Sequence, residues 1–238
     1  MAPRAHWQSL LEVVLCSGFP TQLVLTGVAL MAGLRPMTGG GGLSLPFVAA
    51  VSAADTVLLI ALVLWFLHIR DESPQALFLG VRPILAEMRL GLLLAPLVVI
   101  FMSGAIFWLR QLLPNLHTVP ENPFEALARS PAGAFALLLV AMVAGGIREE
   151  MQRAFLLHRF RTDLGGAAIG LLLTSAAFGI GHLVQGWDAV LVTAALGAFW
   201  GALFLARGSI LAAVASHALA NGTQVLIAFL QRPEVLGS

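Results

Sequence analysis

Charged residues, lysine, tyrosine and cysteine are scarce or absent in this chain. Only 11% of its 238 residues are charged, its 13 basic residues are all arginine, and it has one cysteine and no tyrosine. A soluble domain normally carries about 25% charged residues, so the composition excludes an ordinary soluble domain. The single Cys16 rules out a disulfide within the chain. The net charge of +1 is too small to indicate a nucleic-acid partner.

Long apolar runs take the place of the missing charge. Hydrophobic residues make up 59% of the chain, and the mean hydropathy is +0.92. A helix needs about 20 apolar residues to cross the hydrocarbon, and a backbone in lipid has to satisfy its own hydrogen bonds. The sequence therefore predicts an all-α, polytopic transmembrane helical bundle of about seven spans (six to eight). The predicted spans are residues 12–34, 45–67, 90–108, 132–158, 165–184, 189–206 and 210–230.

Polar residues are distributed unevenly over these spans. The first three spans contain almost no charge, whereas polar groups interrupt the last four. We therefore expect residues 1–131 to form a scaffold of transmembrane helices and residues 132–238 to form a catalytic core, within one membrane domain. No repeat is evident.

The loop arginines predict the orientation, because positive loops tend to stay in the cytoplasm. One side of the predicted bundle collects Arg4, Arg70, Arg82, Arg89, Arg159, Arg161 and Arg207, and the other collects Arg35, Arg110, Arg129 and Arg232. This bias predicts an integral, multi-pass protein, which we expect in a bacterial cell membrane, with its N-terminus in the cytoplasm.

Five polar residues lie inside the last four predicted spans: Glu149, Glu150, His182, His217 and Asn221. Moving an ionised Asp, Lys or Arg into the hydrocarbon costs about 2.5 to 3.5 kcal/mol. Ionisable groups at membrane depth therefore indicate a functional site.

The first polar stretch pairs two carboxylates with an arginine. Glu149 and Arg153 are four residues apart on a helix, so they share a face and are predicted to pair. Glu150 points about 100° away from Glu149. One carboxylate would then be held by the arginine while the other faces a cavity, which suits a general base. The alternative is a charged helix end at the interface, with ordinary solvated ion pairs.

The spacing around a glycine pair connects Glu149 to His182. Glu149 lies 16 residues before Gly165, and His182 lies 16 residues after Gly166. In an antiparallel hairpin that turns at these glycines, both residues lie about 24 Å from the turn. We therefore expect them at the same depth, with Phe178 supporting the imidazole one turn away. The alternative for His182 is a histidine bonded to a backbone carbonyl near a helix end.

His217 and Asn221 are also four residues apart, so they project from one face of an alanine-rich span. Such a pair can be interhelical hydrogen-bonding glue, worth about 0.6 kcal/mol on average. It can equally stabilise a developing charge. The pair alone leaves both alternatives open.

In this order, the motifs resemble those of the CAAX protease and bacteriocin-processing family of intramembrane proteases, which includes the CAAX prenyl endopeptidases. The family pattern is a Glu-Glu pair followed by Arg, then Phe and His with three residues between them, then His and Asn with three residues between them. The resemblance covers about residues 132–230. The family usually places three residues between the glutamates and the arginine, whereas here Met151 and Gln152 alone separate Glu150 from Arg153. Arg153 is therefore expected to pair with Glu149.

The resemblance implies a hydrolase that cuts a peptide bond at or within the bilayer. A glutamate, helped by His182, would activate water, and His217 and Asn221 would stabilise the oxyanion. The implied catalytic set is Glu149, Glu150, Arg153, His182, His217 and Asn221. We expect no cofactor, with zinc held by two histidines and a glutamate as the alternative. The expected partners are membrane lipid and a peptide or protein substrate, with or without a lipid modification, and no nucleic acid.

Two other function classes fit the same residues. A catalytically silent relative would act as a membrane scaffold or immunity protein. A small transporter would use the ionisable residues as an ion pathway. A transporter is expected to show inverted repeats or broken helices, and the sequence indicates neither.

Overall fold

The computed structural model describes residues 3–231, with side chains from residue 6 onward. Its helices are α1 (Pro3–Leu15), α2 (Phe19–Met31), α3 (Leu45–His68), α4 (Pro74–Phe78), α5 (Ile84–Leu112), α6 (Pro131–Val140), α7 (Glu149–Asp163), α8 (Ala167–Ile180), α9 (Trp187–Arg207) and α10 (Leu211–Leu230). A π-helical segment, Ala141–Arg148, joins α6 to α7. Within this part of the chain no strand forms, and Met37 and Leu43 make one isolated β-bridge.

The prediction of an all-α polytopic bundle is confirmed. By length and composition, α3, α5, the continuous helix Pro131–Asp163, α9 and α10 can each cross a membrane, and α1 with α2 can form a sixth crossing. The predicted span at residues 165–184 is shorter than expected, because α8 has 14 residues. At 1.5 Å per residue it is about 21 Å long, less than the roughly 30 Å of the hydrocarbon. The chain is an integral, multi-pass membrane protein.

The first predicted span is not one continuous helix. The structure breaks it after Leu15, and α1 and α2 meet at a bend of 41°. Gly18 adopts a φ of +89° at the break, a conformation that favours glycine. Pro20 lies in the first turn of α2, where its missing N–H costs no helical hydrogen bond. The expectation that the bundle has no broken helix is therefore wrong.

The scaffold half also carries buried charge, which corrects the expectation that the polar groups lie only in the second half. Glu12, Asp55 and Glu87 are each at most 4% exposed. Glu12 accepts a hydrogen bond from Arg159 at 2.5 Å, and Glu87 accepts one from Arg207 at 2.5 Å. A buried carboxylate needs such a partner. The two halves are therefore joined by ion pairs as well as by apolar packing.

Close helix crossings join α10 to the scaffold helix α5 and join α8 to α9. A Cβ atom on Gly91 of α5 would lie 2.5 Å from the Ala212 carbonyl oxygen of α10. A Cβ atom on Gly179 of α8 would lie 2.5 Å from the Val190 carbonyl oxygen of α9. Glycine at these points lets the backbones approach, as small residues do in membrane helix pairs. The α5–α10 crossing therefore connects the two halves of the chain, and the α8–α9 crossing lies within the second half.

Several arginines assigned to one side of the bundle do lie together at one end. Arg82 donates through Nε to the Arg207 carbonyl oxygen at 3.0 Å, and Arg161 lines a cavity of about 320 Å³ beside the end of α9. The Arg4 side chain and Arg232 lie outside the described residues. The grouping agrees with the sequence, while the cytoplasmic N-terminus stays a prediction.

Candidate active site

The two glutamates follow directly on the π-helical segment. A π-helical stretch winds more loosely than an α-helix and is frequent at functional sites. Gly146 in this segment packs on α10, where an added Cβ atom would lie 2.6 Å from the Ala218 Cβ atom. An added Cβ atom on Gly145 would collide with the Asn221 amide nitrogen. The two glycines therefore allow α10 to approach the backbone just before Glu149.

Glu150 is the glutamate that binds the arginine. It is 1% exposed and accepts a hydrogen bond from Nη1 of Arg153. His217 brings its Nδ1 atom to 2.7 Å from Oε1 of the same carboxylate. The predicted pairing of Glu149 with Arg153 is wrong. Positions i+3 and i+4 lie on nearly the same helix face, and the i,i+3 pair Glu150–Arg153 forms instead.

Aromatic rings enclose this buried ion pair. The Arg153 guanidinium lies 4.5 Å from the centre of the Phe178 ring. Trp200 stacks on His217, with ring centroids 3.7 Å apart and planes 13° apart, and its indole N–H donates to Ser216 Oγ at 3.0 Å. Sequence reasoning identified Phe178 and missed Trp200. Such rings exclude water and fix the orientation of the imidazole.

Glu149 lies in a different environment from its neighbour. Its side chain is 20% exposed, and its Oε2 atom is 3.8 Å from Nε2 of His217. Within residues 3–231 the Glu149 carboxylate accepts no hydrogen bond. It lines a cavity of about 290 Å³ between the α1–α2 break, α7 and α8. Glu149 is thus the glutamate of the pair that is free to act on a molecule in the cavity.

His182 lines the same cavity, which agrees with the predicted meeting across the hairpin. It follows the end of α8 instead of lying within the helix. Its Nδ1 atom is 2.9 Å from the Phe178 carbonyl oxygen. A carbonyl oxygen only accepts, so Nδ1 carries the proton of the neutral ring and Nε2 keeps a lone pair. The hydrogen bond to a backbone carbonyl, which the sequence offered as the alternative for His182, is therefore present. It fixes the orientation of the imidazole and so of Nε2.

His217 and Asn221 share one face of α10, as predicted, and both reach the helix Pro131–Asp163. Asn221 donates through Nδ2 to the Ala141 carbonyl oxygen at 3.2 Å. Neither His217 nor Asn221 is among the residues that line the cavity. The structure therefore brings Glu149 and His182 to one cavity and leaves this pair behind Glu150. The oxyanion role of His217 and Asn221 stays a prediction.

Sequence reasoning did not identify Arg148 as part of the site. Its side chain is 6% exposed and forms an ion pair with Asp55 of α3. Asp55 also accepts a hydrogen bond from Thr21 Oγ1 at 2.5 Å. Gln152, one turn later, donates to the Cys16 carbonyl oxygen at 2.8 Å. Asp55 is the single charged residue of the predicted span 45–67, and this could have revealed the contact.

The predicted zinc alternative can be compared with the arrangement of the possible ligand side chains. Among residues 3–231, no three His, Cys, Asp or Glu side chains are arranged to hold an ion. Glu149 and His182, with His217, are the residues that the zinc alternative would use. Zinc binds imidazole nitrogen and carboxylate oxygen atoms of this kind. Metal analysis of the purified protein is therefore the test for a bound zinc ion.

A comparison with protein families finds a match over the part of the chain that contains the site residues. Residues 131–223 match the family model described as type II CAAX prenyl endopeptidase Rce1-like. The resemblance to the CAAX protease family is confirmed. The Rce1-like match includes all six residues of the predicted catalytic set and begins at the first residue of α6. It supports a membrane peptidase that acts on a peptide or protein substrate. No curated protein and no solved structure matches the chain.

Proposed function

We propose that this protein is an intramembrane endopeptidase in which Glu149 and His182 activate the attacking water. One observation carries the proposal: the carboxylate without a hydrogen bond and the histidine with a free Nε2 line one cavity. Glu150, in contrast, is held by Arg153 and His217. Its role is to fix the helix and the imidazole beside Glu149, and Glu149 is the base.

The reaction requires water, a peptide carbonyl and two proton transfers. Glu149 removes a proton from water that His182 orients through Nε2. The water oxygen bonds to the carbonyl carbon, and the π electrons move to the carbonyl oxygen. When the tetrahedral species collapses, the C=O bond re-forms, the C–N bond breaks, and the amine takes the proton back from Glu149. A carboxylate in a cavity with little water is well suited to this exchange.

The cavity walls indicate an apolar substrate segment. Apart from the charged end, its lining includes Val13, Phe19, Leu156, Phe160 and Leu173. A peptide that enters from the bilayer could bury apolar groups there. A lipid-modified peptide and an unmodified transmembrane segment can both supply such apolar groups. The cleavage experiments therefore use a peptide in farnesylated and in unmodified form.

Comparative proteomics of membranes tests the proposal in cells. Cells that produce the wild-type protein should yield cleaved peptides that are absent with Glu149→Ala or His182→Ala. Glu121→Ala is the matched control, because it removes a carboxylate that is 85% exposed and remote from the cavity. If Glu149→Ala and His182→Ala both generate the wild-type cleavage products, the protease proposal fails and a membrane scaffold or immunity protein becomes the better account.

One observation favours a transporter as the second candidate. The helix break at Cys16–Gly18 borders the cavity that holds Glu149, and transporters often bind their substrates at broken helices. Reconstitution in liposomes tests this candidate. Solute or proton uptake that is lost in Glu149→Ala would support transport, and wild-type uptake equal to that of empty liposomes would reject it.

A further inference from the structure

Arg148 has hydrogen-bonding capacity that the resting structure does not use. A guanidinium carries five N–H donors in a fixed plane and accepts nothing. Nη2 of Arg148 donates to Asp55. Its Nε is buried and has no acceptor among the described residues. A buried donor without a partner is unfavourable, so it would gain from an acceptor that appears during the reaction.

Three parts of the scaffold hold this side chain in place. Asp55 of α3 binds the guanidinium and is itself bound by Thr21 of α2. Gly18, at the helix break, lies against it, since an added Cβ atom would be 3.1 Å from Nη2 of Arg148. A donor held in this way needs little reorganisation when a charge forms next to it.

The cavity brings Arg148 to the reacting groups. Arg148 lines it together with Glu149 and His182. Asn221, the amide predicted to stabilise the oxyanion, does not line it and donates to the Ala141 carbonyl oxygen. His217 likewise directs Nδ1 to Glu150. Of the residues that line the cavity, Arg148 is the one with a buried donor, Nε, that has no acceptor among the described residues.

The charge balance also favours a role in the reaction. Asp55 pairs with Arg148 and Glu150 pairs with Arg153, so Glu149, whose Oε2 atom is 3.8 Å from Nε2 of His217, is the cavity glutamate that these arginines do not bind. When Glu149 takes the water proton it becomes neutral, and the negative charge moves to the carbonyl oxygen of the substrate. A guanidinium beside that oxygen stabilises this transfer more than it stabilises the ground state.

We propose that Arg148 is a catalytic residue that donates to the oxyanion of the tetrahedral intermediate, with Asp55 as its positioning residue. The inference rests on the proposed function. Loss of one oxyanion donor typically lowers kcat by about 100- to 1,000-fold. We expect a loss of that size, with KM changed by less than about threefold, because the donor acts on a charge that the ground state lacks.

The key variant removes both charges of the buried pair. Arg148→Gln alone leaves Asp55 unpaired in the bundle, which can prevent folding. The double variant Asp55→Asn/Arg148→Gln avoids that problem. Its matched control is Glu87→Gln/Arg207→Gln, which neutralises another ion pair of the bundle, one that does not line the cavity. Thermal unfolding in detergent shows whether both double variants are folded.

Two measurements then test the role. The first is kcat and KM on a fluorogenic C-terminal peptide, used in farnesylated and unmodified form. The second is the affinity of a phosphonate analogue of the same peptide, which mimics the tetrahedral intermediate. We expect Asp55→Asn/Arg148→Gln to lose about 100-fold in both kcat and analogue affinity. The control double variant should keep wild-type values.

The contrary results are distinct from one another. A folded Asp55→Asn/Arg148→Gln variant with kcat and analogue affinity within about threefold of wild type would overturn the inference. An affinity loss confined to Asn221→Ala would also overturn it and would restore the amide as the donor. Wild-type protein that cleaves neither peptide would count against the proposed function itself and would remove the inference with it.

Discussion

Nδ1 of His217 lies 2.7 Å from Oε1 of Glu150, and both side chains are at most 4% exposed. This contact divides two adjacent glutamates into different roles. Glu150 belongs to a closed ion pair with Arg153, whereas Glu149 faces the cavity with a side chain that is 20% exposed. The site therefore has one structural carboxylate and one that can react.

This division predicts unequal effects of two isosteric substitutions on the stability of the protein. Glu150→Gln leaves Arg153 without its counter-ion, and breaking a buried pair costs about 3 to 5 kcal/mol of stability. Glu149→Gln should change the free energy of unfolding by less than about 1 kcal/mol, because this partly exposed carboxylate comes no closer than 3.8 Å to Nε2 of His217, too far for a hydrogen bond. Thermal unfolding of both variants in the same detergent checks the contrast. Equal destabilisation by the two substitutions would contradict it.

Trp200 should stabilise the bundle through His217. Trp200→Ala removes a 2% exposed ring that stacks on the imidazole, and such truncations cost about 3 to 5 kcal/mol. Trp200→Phe should cost less, because it keeps most of the stack and loses the bond to Ser216. Trp65→Ala is the control, since Trp65 is 59% exposed. The unfolding temperature should be highest for wild type, lower for Trp200→Phe and lowest for Trp200→Ala. A decrease for Trp65→Ala as large as that for Trp200→Ala would count against this prediction.

The close approach of α10 to the π-helical segment predicts a sensitive glycine. In Gly146→Ala the new methyl group would lie 2.6 Å from the Ala218 Cβ atom, so the helices must separate and shift the backbone next to Glu149. We expect lower stability and at least about a tenfold loss of activity, since a misplacement of 1 Å can cost 100-fold. Gly104→Ala, with nothing within 4 Å of the new Cβ atom, should be neutral. If the two variants behave alike in unfolding and activity measurements, the prediction is wrong.

Metal analysis of the purified protein addresses zinc. We expect less than about 0.1 metal ion per chain and full activity after treatment with a chelator, because the account assigns water activation to Glu149 and His182. Glu121→Ala serves as the control for metal bound at the surface. One zinc ion per chain in the wild type, lost in His182→Ala, would replace this mechanism by a metal-activated water.

The sequence was sufficient for those parts of the site that depend on helix spacing. Glu149 and His182 could be expected near each other because the rise of a helix is constant and Gly165-Gly166 marks the turn, and both residues line one cavity. The pairing of Arg153 could not be derived, because positions i+3 and i+4 are almost equivalent on one turn. The π-helical segment before Glu149 gives no hydrophobic pattern that would reveal it.

Long-range contacts were the other part that sequence reasoning missed. Arg148 and Asp55 are 93 residues apart in the chain, and only the packing of α3 against the glutamate helix brings them together. The lone Asp55 in an apolar span could have indicated that a buried partner exists, but its identity depends on the fold. The Gly18–Pro20 stretch likewise contained the conformational signal for the helix break.

Cleavage by the purified protein in nanodiscs tests the central claim most directly. The farnesylated and unmodified C-terminal peptides are incubated with wild type, Glu149→Gln, His182→Ala and Glu121→Ala, and the products are identified by mass spectrometry. The account predicts cleavage of at least one peptide by wild type and Glu121→Ala, and losses of more than about 100-fold in the two site variants. Wild-type rates of cleavage by folded Glu149→Gln would contradict it.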